Sequence, residues 1–340
     1  LRGVSPRRRC DGNFRPGTIM KILLGALFAA FAIATPAMAH VGFLSRDEVI
    51  HDTPEWKGER FADGRPKVPD AILDRMKNVT LEEAWGTLRA AGYENQYEDG
   101  WYSIFPDKIL VGRALTSTWV PGRPDIQKVI EADGVADGRK EAPNAWPVDM
   151  LQQRDVYVSD HFGLKVNGAS IGDNVGNAIY ARSGSGIVYD GAVRDINGLK
   201  ELPNFVSFVR FYDPSHHFGK FEPGRPLNST MVAINSPTRI GHAAVMPGDV
   251  VLGRDGGVMF IPPELAARVV QESEHTRLRD TFSHQRLREQ KYTGGQIDRE
   301  WTPEIEADFT QWMKDNIDKL PVSHVAVQEY LDMRARAAKK

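Results

Sequence analysis

Apolar residues along this chain change period three times. At Thr80-Leu81-Glu82-Glu83 the spacing matches a capping box, with Leu81, Ala84, Trp85 and Leu88 following on one helical face and Gly92 closing it. From about residue 108 the pattern becomes strand-like. It predicts strands at Ile109–Leu115, Val156–Ser159, Gly186–Tyr189, Phe205–Phe211 and Met231–Ile234, with short helices at 174–182 and 195–202. A hairpin follows: Val250–Leu252, a turn at Arg254-Asp255-Gly256-Gly257, then Val258–Ile261. After Pro262-Pro263-Glu264 a helical period returns, through Leu265, Val269, Val270, Leu278 and Phe282. A second helix opens at Thr302-Pro303, with Ile305, Phe309, Trp312, Met313, Ile317 and Leu320 on one stripe. Such stripes are packing surfaces first. Strands interleaved with short helices predict an α/β layer structure rather than a sandwich.

The stretches outside these periods complete the division of the chain. Met20-Lys21, the apolar run Ile22 to Ile33 and Ala37-Met38-Ala39 make a positive start, a hydrophobic centre and a small-residue cleavage signature. Residues 20–39 are therefore expected to be a signal peptide cleaved after Ala39, with 1–19 a translated upstream segment. A membrane anchor over Ile22–Ala39 is the alternative, and Arg7-Arg8-Arg9 an incomplete twin-arginine signal. Residues 40–79, rich in Pro, Asp, Lys and Arg around Arg65-Pro66-Lys67-Val68-Pro69, read as an extended arm. Residues 80–265 form the core domain, and 266–340 a helical C-terminal extension.

Composition sharpens this division. The 340 residues carry 43 Lys and Arg, 45 Asp and Glu, and one cysteine. Beyond Ala39 there remain 37 basic and 44 acidic residues and no cysteine, because Cys10 lies upstream. The working chain is thus expected to be acidic, periplasmic or secreted, and free of disulfides and of a stable membrane anchor. It has no basic footprint for nucleic acid.

The chemistry concentrates in Gly172-Asp173-Asn174-Val175-Gly176 and in Gly186 to Asp195, which ends Asp190-Gly191-Ala192-Val193-Arg194-Asp195. Asp173 opens a short helix whose first N–H groups, at Asn174 and Val175, can receive a carboxylate. Arg194 can bind a substrate carboxylate through two parallel N–H bonds, and a neighbouring carboxylate suits a hard cation such as Mg²⁺. Taken alone, Asp173 is equally an N-cap, and Arg-Asp recurs elsewhere in the chain.

The arrangement resembles the RraA-like family, the 4-hydroxy-4-methyl-2-oxoglutarate aldolases and regulators of ribonuclease E activity A. Asp173, twenty intervening residues and Arg194-Asp195 match its signature. Val188 to Val193 is similar to its apolar strand, and Pro247-Gly248-Asp249 with Asp255-Gly256-Gly257-Val258 to its closing segment. The resemblance spans roughly 80–265. It implies a swivelling β/β/α core that assembles as trimers or dimers of trimers, with sites between subunits. It further implies a class II lyase that forms a pyruvate-type enolate by retro-aldol cleavage or decarboxylation of a small 2-oxo acid. By resemblance Asp195 binds Mg²⁺, or another divalent cation such as Mn²⁺. Arg194 holds the substrate carboxylate and keto oxygen, the Asn174 and Val175 amides complete the cradle, and Asp173 positions a water. A non-catalytic binding or regulatory protein and a sugar-acid lyase on the same fold are the alternatives.

Two positions depart from that pattern. Lyase-competent members commonly carry an acidic residue three positions after the Arg-Asp aspartate, where this chain has Gly198, with Glu201 the nearest acid beyond. An acidic residue from a neighbouring subunit also serves family sites, and Glu264 is the candidate here. Asp213-Pro214-Ser215-His216-His217 is a weaker metal candidate, lacking a third ligand at a recognisable spacing. His161 and His242 are expected to be structural or surface residues. The Glu94 to Trp101 polar–aromatic stretch reads either as a pocket mouth or as a loop anchored by Tyr97 and Trp101.

Overall fold

The computed structural model describes residues 42–140, 142–165, 170–215 and 228–337. The stretch expected to be a signal peptide, His216 and His217 lie outside them. Among the described residues no helix is long and apolar enough to cross a membrane.

Three helices come first: α1 (Arg46–Asp52), α2 (Asp70–Met76) and α3 (Leu81–Ala90). Two short strands follow, β1 (Tyr97–Glu98) and β2 (Tyr102–Ser103). The centre then alternates: β3 (Leu110–Pro121), α4 (Pro124–Ala136), α5 (Trp146–Met150), β4 (Asp155–Leu164), α6 (Asp173–Ser183), β5 (Ile187–Val193), α7 (Ile196–Lys200) and β6 (Ser207–Tyr212). Strands β7 (Ser229–Ile234), β8 (Thr238–Ile240), β9 (Ala243–Val245), β10 (Val250–Arg254) and β11 (Gly257–Ile261) follow. The chain ends in α8 (Ala266–Arg288), α9 (Gly294–Ile297), α10 (Pro303–Asp315) and α11 (His324–Ala337).

Strands β3, β4, β5 and β6 run parallel, as helical crossovers require. The main sheet reads β1-β11-β10-β3-β4-β5-β6-β2, with β7 antiparallel to the outer half of β3, and β8 and β9 form a separate pair. The edge strands β1 and β2 are separated only by Asp99, Gly100 and Trp101. Four residue steps span at most about 14 Å, so the sheet curls until its two edges approach.

The curl gives the sheet an inside and an outside, read by alternate residues. On β4, Val156 and Val158 join Val188, Phe208, Val251 and Phe260 in an inner cluster, while Tyr157 between them packs outward with Ile187 and Tyr189. The outward group is covered by Ile130 of α4, Ile179 of α6 and Leu199 of α7. A second outer cluster joins Leu252, Met259 and Ile261 to Leu73, Met76, Leu88 and Val269.

The segment 40–79, expected to be an extended arm, instead contributes α1, α2 and part of this second cluster. Arg65 is fully buried, its Nη2 2.9 Å from Oδ2 of the equally buried Asp155 and its Nε 2.8 Å from Asp63. Charged residues and prolines separate its apolar positions too widely for a period to show, yet Val68, Leu73, Met76 and Val79 are all buried.

The other predicted elements are observed, with β3, β4 and β5 running six, five and four residues beyond their expected ends, and the Thr80 capping box forms through Glu83. Trp85 differs: it lies outside the buried face, its ring edge-on to Tyr97. The C-terminal stripe is core, with Leu278, Phe282, Trp301, Ile305, Phe309, Trp312, Met313 and Tyr330 packed together. Helix α8 ties this cluster to the N-terminal helices through Arg75–Glu274, at 2.9 and 2.6 Å, and Thr87–Glu272 at 2.7 Å.

Candidate active site

The site stands at the carboxyl ends of the parallel strands, where an open α/β arrangement places ligands. Strand β5 runs out at Val193, bridges Ile171 in parallel, and donates the Arg194 N–H to the Ile171 carbonyl at 3.0 Å. That fixes the turn into α6 beside the turn into α7. Gly172 then caps α6, and a Cβ there would collide with both the Asp195 carboxylate and the Arg194 guanidinium. Glycine at 172 therefore lets backbone and charged side chains share one small volume. Asp195 itself sits at φ +54° and ψ +43°, a left-handed conformation that Asp tolerates better than most residues.

These turns bring Asp173, Arg194 and Asp195 together. Arg194 Nε lies 3.0 Å from Asp195 Oδ2, while its Nη1 is buried and meets no acceptor among the described residues. A buried guanidinium N–H without a partner is costly, and an incoming carboxylate would supply the missing acceptor. Asp195 is 43% exposed, so solvent reaches its carboxylate. One hydrated carboxylate fits Mg²⁺, which binds through one or two carboxylates and keeps much of its water. Among the described residues no cluster of three or more His, Cys, Asp or Glu side chains could hold a metal on protein ligands alone.

At the start of α6 the Asn174 N–H donates to Asp173 Oδ1 at 2.7 Å. One of the two amides expected to form the carboxylate cradle is thus already engaged. The Val175 N–H lies in the first turn, with no intrahelical acceptor of its own beyond the Ile171 carbonyl, which already receives Arg194. Glu201 caps α7 and is exposed. Glu264 lies beyond β11, where its Oε1 accepts the Tyr93 hydroxyl at 3.3 Å, and none of its contacts reaches Asp173, Arg194 or Asp195. His161 is structural, its ring packed among Trp119, Phe162 and Tyr189, and His242 is 94% exposed.

A second arginine was missed. Arg210 of β6 lies with its guanidinium 3.8 Å above the Trp101 ring and donates to Asp190, the Asp99 carbonyl and Glu98 at 2.8, 2.6 and 2.6 Å. Glu98 belongs to β1 and Arg210 to β6, so this network clasps the two approaching edges of the sheet. The Glu94 to Trp101 stretch is its anchor, and the polar–aromatic composition of that stretch was its visible signal. Burial raises the Glu98 pKa, but hydrogen bonds from the His242 N–H and Arg210, with the Arg210 charge, outweigh it and hold the carboxyl below its usual range. Asp160, paired in register with Asp190, is shifted the other way by burial and by the Asp190 charge, against the Phe162 N–H bond.

The profile of the RraA-like family, described as Aldolase/RraA, matches residues 66–260. The chain belongs to the RraA-like family. That family includes both aldolase or lyase members and non-catalytic ribonuclease inhibitors. An uncharacterised protein of Methanocaldococcus jannaschii is 28% identical over 102 residues, 30% of this chain. The match spans 44% of that relative's length. Among solved structures, Streptomyces coelicolor RraAS2, described as an unusual member of the RNase ES inhibitor RraA protein family, superposes with a TM-score of 0.53. It is 22% identical, and the match covers 65% of this chain and 98% of that one. An uncharacterised protein from Pseudomonas syringae pv. tomato has a TM-score of 0.52 at 20% identity, covering 69% and 100% of the two chains. These likenesses establish the RraA-like α/β fold for the core.

Proposed function

We propose that this RraA-like protein is a divalent-metal-dependent lyase that forms a pyruvate-type enolate from a small 2-oxo acid. The observation that carries the reading is the buried Nη1 of Arg194, without an acceptor among the described residues, beside Asp195 and the first turn of α6. Arg194 binds the substrate carboxylate and faces the keto oxygen, so its fixed charge stabilises negative charge as it develops there. Asp195 would hold the cation, Mg²⁺ or Mn²⁺, which would supply Lewis-acid stabilisation of developing negative charge. The amides of Asn174 and Val175 orient the carboxylate. Asp173 holds a water for proton transfer to the enolate carbon.

The same reading extends to setting. The signal sequence over 20–39 supports export to the periplasm, and the family resemblance supports a homotrimer or hexamer in which a neighbouring subunit adds an acidic residue. The test is turnover by purified protein with Mg²⁺ against a panel of 2-oxo diacids and sugar acids, following pyruvate release. Arg194→Ala is expected to lower turnover about 100-fold or more, the usual loss of one stabilising donor. Undiminished turnover in that variant overturns the assignment.

Gly198, standing where lyase-competent members commonly carry an acid, favours a second reading as a non-catalytic regulatory protein. A metal-dependent rise in Tm with 2-oxo acids supports the lyase. No ligand response, together with protein-only binding, supports the regulator.

A further inference from the structure

The start of α6 has an occupant of its own. Asp173 Oδ1 accepts the Asn174 N–H at 2.7 Å, taking the place that a bound carboxylate oxygen would fill. What permits this pose lies on α7. A Cβ built at Gly198 would stand 2.6 Å from Asp173 Cβ, 2.8 Å from its Oδ2 and 3.2 Å from its Cγ. The whole Asp173 side chain therefore rests against a surface that only glycine leaves open. Rotating the carboxylate relieves the two outer contacts. The Cβ–Cβ contact requires the first turn of α6 to move as well. Next along α7, a Cβ at Gly176 would stand 2.2 Å from Leu199 Cδ2, so the two helices are in close contact there as well.

We propose that Asp173 is an internal latch on the carboxylate cradle and that Gly198 is the residue that sets it. This rests on the reading of the α6 start as the cradle. In the resting chain Asp173 satisfies the first amide itself, and an incoming carboxylate takes that amide only by turning Asp173 away. The displaced side chain is then free to hold the water that the proposed lyase chemistry needs. Position 198 thereby tunes affinity for carboxylates without touching them: a side chain there crowds Asp173 out of the latched pose. Loss of the acidic residue at 198 is, on this view, linked to a closed resting site rather than to an absent one.

Two readouts in the full chain test this. The first is hydrogen–deuterium exchange resolved at the Asn174 amide, and the second is titration with oxalate in the presence of Mg²⁺. The wild-type amide is expected to be protected, and Asp173→Asn, which keeps an acceptor oxygen, to preserve that protection. Asp173→Ala and Gly198→Ala are both expected to release it and to tighten oxalate binding about five- to tenfold, the worth of one hydrogen bond. Gly198→Ala should add nothing in an Asp173→Gly background, which removes both the carboxylate and the Cβ that position 198 would meet. Wild-type protection and affinity in Gly198→Ala, or an effect that persists in the double variant, overturns the latch. Should no form bind oxalate, the cradle reading fails and the latch with it; oxalate binding that is equal in all variants keeps the cradle and overturns the latch alone.

Discussion

Arg194 and Arg210 stand on neighbouring parallel strands or at their ends, and they live in opposite circumstances. Arg210 has an acceptor for each of its three nitrogens and an indole beneath its plane. Arg194 has one carboxylate on Nε and a buried Nη1 with no acceptor among the described residues. The first is fully spent within the fold, closing the sheet. The second is left with unfilled bonding capacity at a place where two helix starts and a half-exposed carboxylate converge. Charge type does not separate a structural arginine from a functional one; the balance of donors and acceptors around it does.

Removing each arginine should therefore fail differently. Arg210→Ala leaves Glu98 and Asp190 nearly buried and uncompensated, and should cost about 3–5 kcal/mol of stability in chemical denaturation. Arg194→Ala should change stability by within about 1 kcal/mol, while removing the activity tested above. Equal stability losses would show that Arg210 is no more bound into the fold than Arg194.

A buried carboxylate without a cation gives a pH-dependent version of the contrast. Burial pushes Asp249 up to about 7, the Met246 N–H bond opposing it and the Glu264 charge adding to it. Between the unfolded value near 4 and this folded value, the native state holds a proton that the unfolded state has lost. Stability therefore falls as pH rises through that window, by roughly 4 kcal/mol in total. Asp249→Asn should flatten that part of the profile, and an unchanged slope would assign it to another group.

Glu98 has the opposite sign and the smallest effect. Its folded pKa lies below the unfolded one, so its contribution is present above the ordinary carboxylate range and is lost as pH falls through the folded value. Glu98→Gln should remove about 1 kcal/mol at neutral pH and weaken the acid-side loss, as read from denaturation at pH 3 to 6.

How far the sequence showed these regions follows from separation along the chain. Asp173 and Arg194-Asp195 belong to two successive β–α turns, so local pattern and motif spacing could bring them together. Arg210 and Glu98 are 112 positions apart and meet only because the sheet curls. Arg65 and Asp155 are likewise distant, which hid the burial of the 40–79 segment. Gly198 was visible as a missing acid, but its packing on Asp173 was not.

The sequence by itself determined the alternating strands and helices, the α8 and α10 stripes, the hairpin and the residues of the candidate site. The elements follow from backbone period, capping or turn chemistry within a few positions, and the candidate residues from a motif spacing that resembles the RraA-like family. Tertiary structure alone decided which edges meet, which charges are buried and which N–H at the site is already taken. Those depend on what packing brings into contact, and an arginine or an amide acquires its meaning only from the acceptor placed, or not placed, before it.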